Sequence, residues 1–255
     1  ASDVYKRQVQ KLMQADELEE YFKQKLTLLD WQAITNTMHQ QGFVLLENFL
    51  SETQCNLVKD HYNHPTLYRK TVIMQRYRFG LGEYKYYTYP LPHLIAQLRT
   101  HIYPYLVPIA NAWFQVLKVN TVFPATHEQL LYQCQQAGQQ KATSLILKYG
   151  KDGFNTLHQD LYGDVYFPIQ LVIFLNQVNV DYRGGEFVLT HQIPRAQSKV
   201  NVLQPNQGDL LIFTTQFRPE KGSRGYYRVN MKHGVSQVHE GERYTLGIIF
   251  HDAVS

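Results

Sequence analysis

The chain has 255 residues, of which 44% are hydrophobic and 18% are charged, with a formal net charge of +4. These values predict a soluble globular protein with a sizeable core, and no apolar run approaches the roughly 18 residues of a membrane-spanning helix. The mildly basic charge permits an anionic partner without requiring one.

Two features of the sequence bear on where the protein works. The N-terminal stretch ASDVYKRQVQKLMQADELEEYFKQ contains no apolar segment of a secretion signal, and the chain does not begin with Met. Cys55 and Cys134 are the only cysteines and form no Cys-x-x-Cys motif. Neither a disulfide framework nor a thiolate zinc site is therefore expected, and we predict a reducing, cytoplasmic setting without membrane association.

Residues 1–142 are predicted to be mainly helical. Apolar residues recur at helical spacing in LDWQAITNTMHQQG, beginning after the candidate cap Asp30 and ending at Gly42. The run FVLLENFL then predicts a short buried strand, and Ser51 is a candidate cap for the next helix.

Two further helical regions complete this first part. The stretch LPHLIAQLRTHIYPYLVPIANAWFQVL predicts two helical pieces, because Pro104 and Pro108 interrupt its pattern. HEQLLYQCQQAG predicts one more helix that ends at Gly138.

From Thr143 onward the sequence changes to short strands. Seven segments rich in Val, Ile, Leu and Phe are separated by turn residues: SLILKYG, FPIQLVIFL, GGEFVLT, SKVNVLQ, GDLLIFT, HGVSQV and RYTLGIIFH. This many strands without intervening helices favour an antiparallel sandwich or barrel. The sequence therefore predicts an α+β protein, a single domain over 1–255, in which a helical part packs on a β-core over 143–252.

The stretch NTLHQDLYG contains two side chains that can bind a metal, His158 and Asp160, one residue apart. Alternate residues of a strand face the same side, so one strand edge can offer an imidazole and a carboxylate to one ion. His233, at the start of HGVSQV, is the candidate third ligand. Two His and one carboxylate leave three positions of an octahedron open, which suits non-haem Fe(II). The alternative is that these polar residues lie near loops by chance.

Arg243 lies within the apolar segment RYTLGIIF, where an unpaired guanidinium is costly. Thr245 is two residues further on and faces the same side. Together they would bind the far carboxylate of a dicarboxylate such as 2-oxoglutarate, whose 2-oxo acid would chelate the iron. The alternative for Arg243 is an internal ion pair with Glu or Asp.

The set HQD, GGEF, GDLLIF, HGV and RYT resembles the 2-oxoglutarate- and Fe(II)-dependent dioxygenases over roughly residues 143–252. The signature of that family is His-x-Asp, a distal His and Arg-x-Ser/Thr, and each of its positions has a match here. The resemblance implies a double-stranded β-helix, or jelly roll, with Fe(II), 2-oxoglutarate and O₂ as cofactors. It also implies hydroxylation of a substrate C–H bond with release of succinate and CO₂. RGYYRVNMKHGVSQV with ERYTLGIIFHDA looks like a narrower bacterial group described as AlkB-like oxidative nucleic-acid demethylases.

Three other side chains are candidates for the same site. Tyr149 is the first, because the corresponding strand of the family that the chain resembles often provides a Tyr hydroxyl to the co-substrate. The alternative is that Tyr149 is a packed core residue. Gln170 lies in an apolar strand, where an amide needs hydrogen-bond partners, and Asn155 could also line the cleft.

Two segments that interleave cations with aromatic rings, residues 68–90 and 217–232, bear on the substrate. Binding of single-stranded nucleic acid or a flipped base uses this mixture for phosphate contacts and stacking, but peptide clefts and Tyr-rich hairpins contain it as well. A nucleic acid, a protein and a small molecule therefore stay open as the substrate. The alternatives for the whole protein are a prolyl or other protein hydroxylase and a non-catalytic jelly-roll binding module. Prolyl enzymes usually carry Lys where this chain has Arg243, which speaks against the first.

Overall fold

The computed structural model of the protein describes residues 15–255. Residues 1–14, which include part of the stretch predicted to lack a secretion signal, lie outside the described residues. Within the described range, no helix combines the length and the apolar character needed to cross a bilayer.

Five α-helices lie in the first part of the described chain: α1 (Ala15–Thr27), α2 (Trp31–Gln41), α3 (Glu52–Asp60), α4 (His93–Val116) and α5 (His127–Gln136). The Asp30 carboxylate accepts a hydrogen bond from the Ala33 N–H at 2.9 Å and caps α2. Ser51 and Gln54 form a reciprocal capping box at the start of α3. Both predicted caps are therefore confirmed.

Helix α4 is continuous, so the prediction that Pro104 and Pro108 divide it into two pieces is wrong. Each interior proline removes a backbone hydrogen bond and costs roughly 3 kcal/mol. Twelve side chains of this helix are buried, among them Tyr103 and Trp113, and most belong to the main hydrophobic core. Each large apolar side chain that is fully buried contributes roughly 1.5–3 kcal/mol, so tertiary packing outweighs the two prolines.

The first part of the chain also supplies four strands: β1 (Phe43–Leu46), β2 (Tyr68–Ile73), β3 (Gly80–Leu81) and β4 (Glu83–Tyr87). The strand predicted from FVLLENFL corresponds to β1. The other three are absent from the sequence predictions, because their segment is rich in Tyr, Lys and Arg rather than in an apolar run. These strands join the same sheets as the later ones, so the change of composition near residue 140 does not divide the β-structure.

Eleven strands follow in the second part: β5 (Leu145–Tyr149), β6 (Phe154–His158), β7 (Ile169–Phe174), β8 (Tyr182–Gly184), β9 (Phe187–Gln192), β10 (Lys199–Leu203), β11 (Leu210–Thr214), β12 (Phe217–Gly222), β13 (Gly225–Val235), β14 (Val238–Gly241) and β15 (Arg243–Ile248). Six of the seven apolar segments coincide with β5, β7, β9, β10, β11 and β15. The seventh requires a correction, since His233 lies near the end of the long strand β13 and does not open a strand. Strand β13 begins earlier because it forms a hairpin with β12.

The strands form two main antiparallel sheets. One has the order β1-β11-β7-β15-β5-β4-β2, and the other has the order β10-β9-β13-β6-β3 with β12 added on β13. A cluster of apolar side chains from both sheets, including Phe174 and Phe187, fills the space between them. The outer face of the larger sheet packs on the helices through alternate residues such as Leu171 and Ile173. The predicted α+β class is confirmed.

Candidate metal and cofactor site

A cavity of about 230 Å³ is lined by strands of both sheets. All the side chains proposed from the sequence for metal or cofactor binding line it, and so does Asn155: Tyr149, His158, Asp160, Gln170, His233, Arg243 and Thr245. These residues come from five strands and one loop, so the tertiary structure brings together groups that are up to 96 positions apart (245 − 149) in the sequence.

Pairing of β6 with β13 places the two candidate histidines side by side. His158 is the last residue of β6 and is directly opposite His233 in the register, with ring centroids 4.2 Å apart. Asp160 lies two positions beyond the end of β6. The expectation that His158 and Asp160 share one strand edge is therefore corrected: the carboxylate reaches the imidazoles from the loop that follows the strand.

The three side chains approach one another closely enough to share one ion. The Asp160 Oδ2 atom lies 3.2 Å from His233 Nε2, and its Oδ1 atom lies 3.7 Å from His158 Nε2. One ligand atom from each residue lies within 4.8 Å of the other two. The His158 Nδ1 atom is 2.8 Å from the Thr156 carbonyl oxygen. That contact holds the proton on Nδ1 and leaves the Nε2 lone pair directed towards the other two residues.

The charge states of this group suit a metal. Burial alone would raise the pKa of Asp160, but the hydrogen bond with His233 and the charges of His158 and His233 outweigh burial and hold the pKa well below its usual range. Burial lowers the pKa of His233. Metal binding requires an ionised carboxylate, as at Asp160, and burial favours the neutral imidazole of His233 that it also requires.

Two neighbours orient the Asp160 carboxylate. The Tyr162 hydroxyl donates to Oδ1 at 2.8 Å, and the Gln170 amide donates to Oδ2 at 2.9 Å. The Tyr86 hydroxyl in turn donates to the Tyr162 hydroxyl at 3.2 Å. Gln170, which the sequence suggests as a cofactor-binding residue, thus contacts a candidate metal ligand.

Arg243 is 1% exposed and faces the same cavity. Its guanidinium lies 5.5 Å from the centroid of the Tyr149 ring and 5.4 Å from that of Phe174. None of its three nitrogens meets hydrogen-bond geometry with a partner among residues 15–255, and no carboxylate in that range lies within salt-bridge distance. The nearby Tyr182 hydroxyl is neutral, since burial raises its pKa against the opposing charge of Arg243, so it does not compensate the guanidinium. The alternative of an internal ion pair is thus not realised within the described chain. A buried guanidinium in this state requires an anion from outside.

The residues around Arg243 leave room for its guanidinium and add hydroxyl groups. Gly185 adopts φ +64°, and a Cβ atom there would lie 2.9 Å from the Arg243 Cδ atom, so a larger residue would displace the arginine. Thr245 is buried on the same strand, two residues along. Burial raises the pKa of Tyr149 to about 12, against the opposing charge of Arg243, and its hydroxyl accepts a hydrogen bond from Asn155 at 3.2 Å. This end of the cavity is cationic and lined by hydroxyl groups, which is what a carboxylate ligand needs.

Sequence reasoning missed three side chains around the candidate ligands. Tyr162 lies in the same stretch as His158 and Asp160, and a hydroxyl two positions after the carboxylate was the available signal. Phe187 stacks on the His233 ring at 5.8 Å, and Phe213 meets it edge-on at 4.9 Å. Nothing in the sequence distinguishes these two phenylalanines from other core residues.

Solved structures share this fold. A prolyl hydroxylase from Trichoplax adhaerens, in complex with a hypoxia inducible factor peptide fragment, has a TM-score of 0.57 at 16% identity and covers 95% of each chain. An oxidoreductase of the 2OG-Fe(II) oxygenase family from Burkholderia pseudomallei has a TM-score of 0.53 at 16% identity, over 89% of this chain and 95% of that one. A Pseudomonas putida prolyl-4-hydroxylase has a TM-score of 0.51 at 14% identity, over 87% and 98%. The fold is therefore the jelly roll of 2-oxoglutarate- and Fe(II)-dependent oxygenases, as predicted.

Sequence comparison identifies the family. A family model described as "Oxygenase, catalysing oxidative methylation of damaged DNA" matches residues 82–253. Two curated proteins of Mycobacterium tuberculosis, "Uncharacterized protein Rv2227" (strain ATCC 25618 / H37Rv) and "Uncharacterized protein MT2286" (strain CDC 1551 / Oshkosh), are each 46% identical over 164 residues. The alignment covers 64% of this chain and 70% of theirs. The chain belongs to this oxygenase family. As a member of an oxygenase family it is an oxidoreductase.

Proposed function

We propose that His158, Asp160 and His233 hold Fe(II), and that Arg243 binds the far carboxylate of 2-oxoglutarate. The observation that carries this assignment is the buried guanidinium without an internal partner, in the same cavity as three converging metal-capable side chains. The hydroxyls of Thr245 and Tyr149 would add hydrogen bonds to the same carboxylate.

The bound cofactors would supply the oxidising chemistry, in which 2-oxoglutarate is converted to succinate and CO₂ while one oxygen atom enters a substrate C–H bond. The residues of the chain have a supporting role in this reaction. Tyr162 and Gln170 hold the carboxylate of Asp160 in one orientation. Phe187 and Phe213 pack against His233 and exclude water from that side of the cavity.

We also propose an alkylated nucleic-acid base as the substrate, with oxidative demethylation as the reaction. Hydroxylation of an N-methyl group produces a hydroxymethyl group, which leaves as formaldehyde and releases the unmodified base. The description of the matching family names damaged DNA, and the net charge of +4 is compatible with an anionic polymer. Arg243, in place of the Lys expected of prolyl enzymes, speaks against a prolyl substrate.

Native mass spectrometry under anaerobic conditions tests the cofactor assignment, and a succinate assay over a substrate panel tests the reaction. We expect one Fe(II) and one 2-oxoglutarate per chain, and stimulation of succinate formation by methylated oligonucleotides rather than by Pro-containing peptides. His233→Ala should abolish succinate formation, whereas the exposed His239→Ala serves as the matched control. Wild-type turnover in His233→Ala would falsify the metal assignment, and stimulation by peptides alone would overturn the nucleic-acid substrate.

Two further predictions also stay proposals. A cytoplasmic location is supported by Cys55 and Cys134, which are both buried and not joined in a disulfide. A single domain over residues 1–255 is supported by the sheets, because each main sheet contains strands from both parts of the described chain.

A further inference from the structure

Five consecutive residues, Gln75 to Phe79, are all exposed, and we refer to them as the QRYRF turn. The last of them, Phe79, lines the cavity. Tyr77 is 55% exposed and Phe79 is 44% exposed. Their ring centroids lie 5.5 Å apart and the ring planes differ by 19°, so the two rings are stacked in solvent. Single exposed aromatic residues are common, but a stacked exposed pair presents a flat face on which a further planar group can stack.

The same turn carries positive charge that the described chain does not neutralise. Arg76 and Arg78 are exposed, and neither lies within salt-bridge distance of a carboxylate in residues 15–255. The turn itself contains no acidic residue. Its cations and rings therefore alternate along the chain, as phosphates and bases alternate along a nucleic-acid strand.

Four other cations of the two basic-aromatic segments have contacts within the fold, whereas Lys70, Lys221, Arg224 and Lys232 are exposed. Arg218 is buried and contacts Glu220 at 2.5 Å, and Arg228 lies 4.7 Å from the centroid of the Phe217 ring. In the segment 68–90, the Arg69 side chain donates to the Ala142 carbonyl oxygen at 2.9 Å. The Lys85 ammonium lies 3.8 Å from the centroid of the Tyr62 ring. The β12–β13 hairpin also exposes two cations, Lys221 and Arg224, and the ring of Tyr226, but none of them lines the cavity. The QRYRF turn presents both cations and rings and also lines the cavity through Phe79.

Hydrogen bonds fasten the QRYRF turn to the strand that carries a candidate metal ligand. The Phe79 carbonyl oxygen accepts from the Thr156 N–H and from the Thr156 hydroxyl, both at 2.8 Å. The Thr156 carbonyl oxygen is the hydrogen-bond partner of His158. Gly80 permits this close approach, since a Cβ atom there would lie 2.2 Å from the Phe154 carbonyl oxygen. A ligand bound on the turn would therefore have a fixed position relative to the cavity. Phe79 itself lines that cavity.

We propose that the QRYRF turn binds the single-stranded segment next to the target base. Neighbouring bases stack on Tyr77 and Phe79, and their phosphates contact Arg76 and Arg78. The exposed faces of the rings favour an unpaired strand over a duplex, because a duplex already buries the faces of its bases. This inference rests on the proposed nucleic-acid substrate and adds the form of that substrate and the surface that holds it.

The test compares Tyr77→Ala with the wild type on a methylated single-stranded oligonucleotide, on the same lesion in a duplex, and on the free methylated nucleoside. We expect Tyr77→Ala to lower kcat/KM for the single strand by about 5- to 150-fold, the range that loss of base stacking gives, chiefly through KM. Turnover of the nucleoside and the affinity for 2-oxoglutarate should change less than about twofold, because neither contacts the turn. Tyr132→Ala is the matched control, since Tyr132 is 61% exposed and lies on α5, away from the cavity.

A second variant tests the charges independently of catalysis. Binding of an unmodified single strand is measured by fluorescence anisotropy at several salt concentrations. The double variant Arg76→Gln/Arg78→Gln should reduce the slope of log affinity against log salt by about 1.4, or about 0.7 for each phosphate that the variant no longer neutralises.

Three results would overturn the assignment of the turn. Tyr77→Ala could match Tyr132→Ala on the single strand, the double variant could keep the wild-type salt slope, or the wild type could prefer the duplex lesion. In each case the wild type still acts on nucleic acid, so the proposed function survives. Absence of turnover on every nucleic acid, together with activity on a peptide, would remove both proposals.

Discussion

The prediction that most directly tests the site is that Arg243→Met stabilises the cofactor-free protein while it weakens 2-oxoglutarate binding. Methionine fills a similar volume without the charge. The wild-type guanidinium is 1% exposed and has no hydrogen-bond partner within residues 15–255. The cofactor-free protein therefore carries the cost of a buried, uncompensated ion, and the substitution removes that cost.

The size of the stabilising effect follows from two opposing contributions. Burying an unpaired ion costs several kcal/mol after relaxation, whereas each of the two cation–π contacts returns about 0.5–1 kcal/mol. We therefore expect Arg243→Met to raise the free energy of unfolding of the cofactor-free protein by about 1–3 kcal/mol. For a chain of this size, Tm should rise by about 2–4 °C for each kcal/mol.

The effect on ligand binding has the opposite sign. Removing one partner of a buried, hydrogen-bonded charge pair costs about 2–5 kcal/mol, which is about 30- to 5,000-fold in affinity. Anaerobic calorimetry with Fe(II) measures the affinity for 2-oxoglutarate, and urea unfolding measures stability in the absence of cofactors. In the wild type, 2-oxoglutarate at a concentration of 100 times Kd should add about 2.7 kcal/mol of stability, and the same concentration should add little in the variant.

Arg99→Met is the matched control for Arg243→Met. Arg99 is equally buried but contacts the Asp252 carboxylate at 2.6 Å and the carbonyl oxygens of Ile249 and Phe250 at 2.9 Å. Replacing Arg99 leaves the buried Asp252 carboxylate without its ion-pair partner and should destabilise the protein by about 3–5 kcal/mol. If Arg243→Met destabilises the cofactor-free protein to the same degree, Arg243 has an internal partner and the assignment to 2-oxoglutarate fails.

Three further predictions concern the metal and the buried histidines. Tyr162→Phe should weaken Fe(II) binding about 10- to 100-fold in anaerobic titrations by freeing the Asp160 carboxylate, with Tyr132→Phe as the control; unchanged affinity would contradict a positioning role. Chelation of Fe(II) with EDTA should abolish succinate formation and lower Tm, since the ion binds only the folded chain. Burial lowers the pKa of His127 and of His251 to about 3, so the unfolded chain binds more protons below about pH 6.5. As the pH is lowered from about 6.5 towards 3, the free energy of unfolding should therefore decrease by about 1.4 kcal/mol per pH unit for each histidine. His251→Asn should remove the contribution of one histidine, which urea titrations at several pH values measure.

Much of the site was predictable from the sequence because its chemistry depends on residue types. His158, Asp160 and His233 are side chains that bind metals in any fold, and an arginine in an apolar segment requires an anion wherever that segment lies. The strands of the core were predictable for a related reason: strands such as β7 are buried on both faces and therefore appear as continuous apolar runs. The QRYRF turn was only partly visible, as one portion of a longer basic-aromatic segment.

The tertiary structure alone decided which of these groups have partners. Packing of α4 against the core overrides Pro104 and Pro108, and sheet pairing converts a Tyr- and Lys-rich segment into β2 and β4. Likewise, Arg218 and Arg243 are both buried, but only Arg218 has an acid beside it among the described residues. The sequence shows which chemistry a side chain is capable of, whereas its burial and its partners arise from contacts between distant parts of the chain. Within the described residues, these contacts leave the Arg243 guanidinium without an acid beside it.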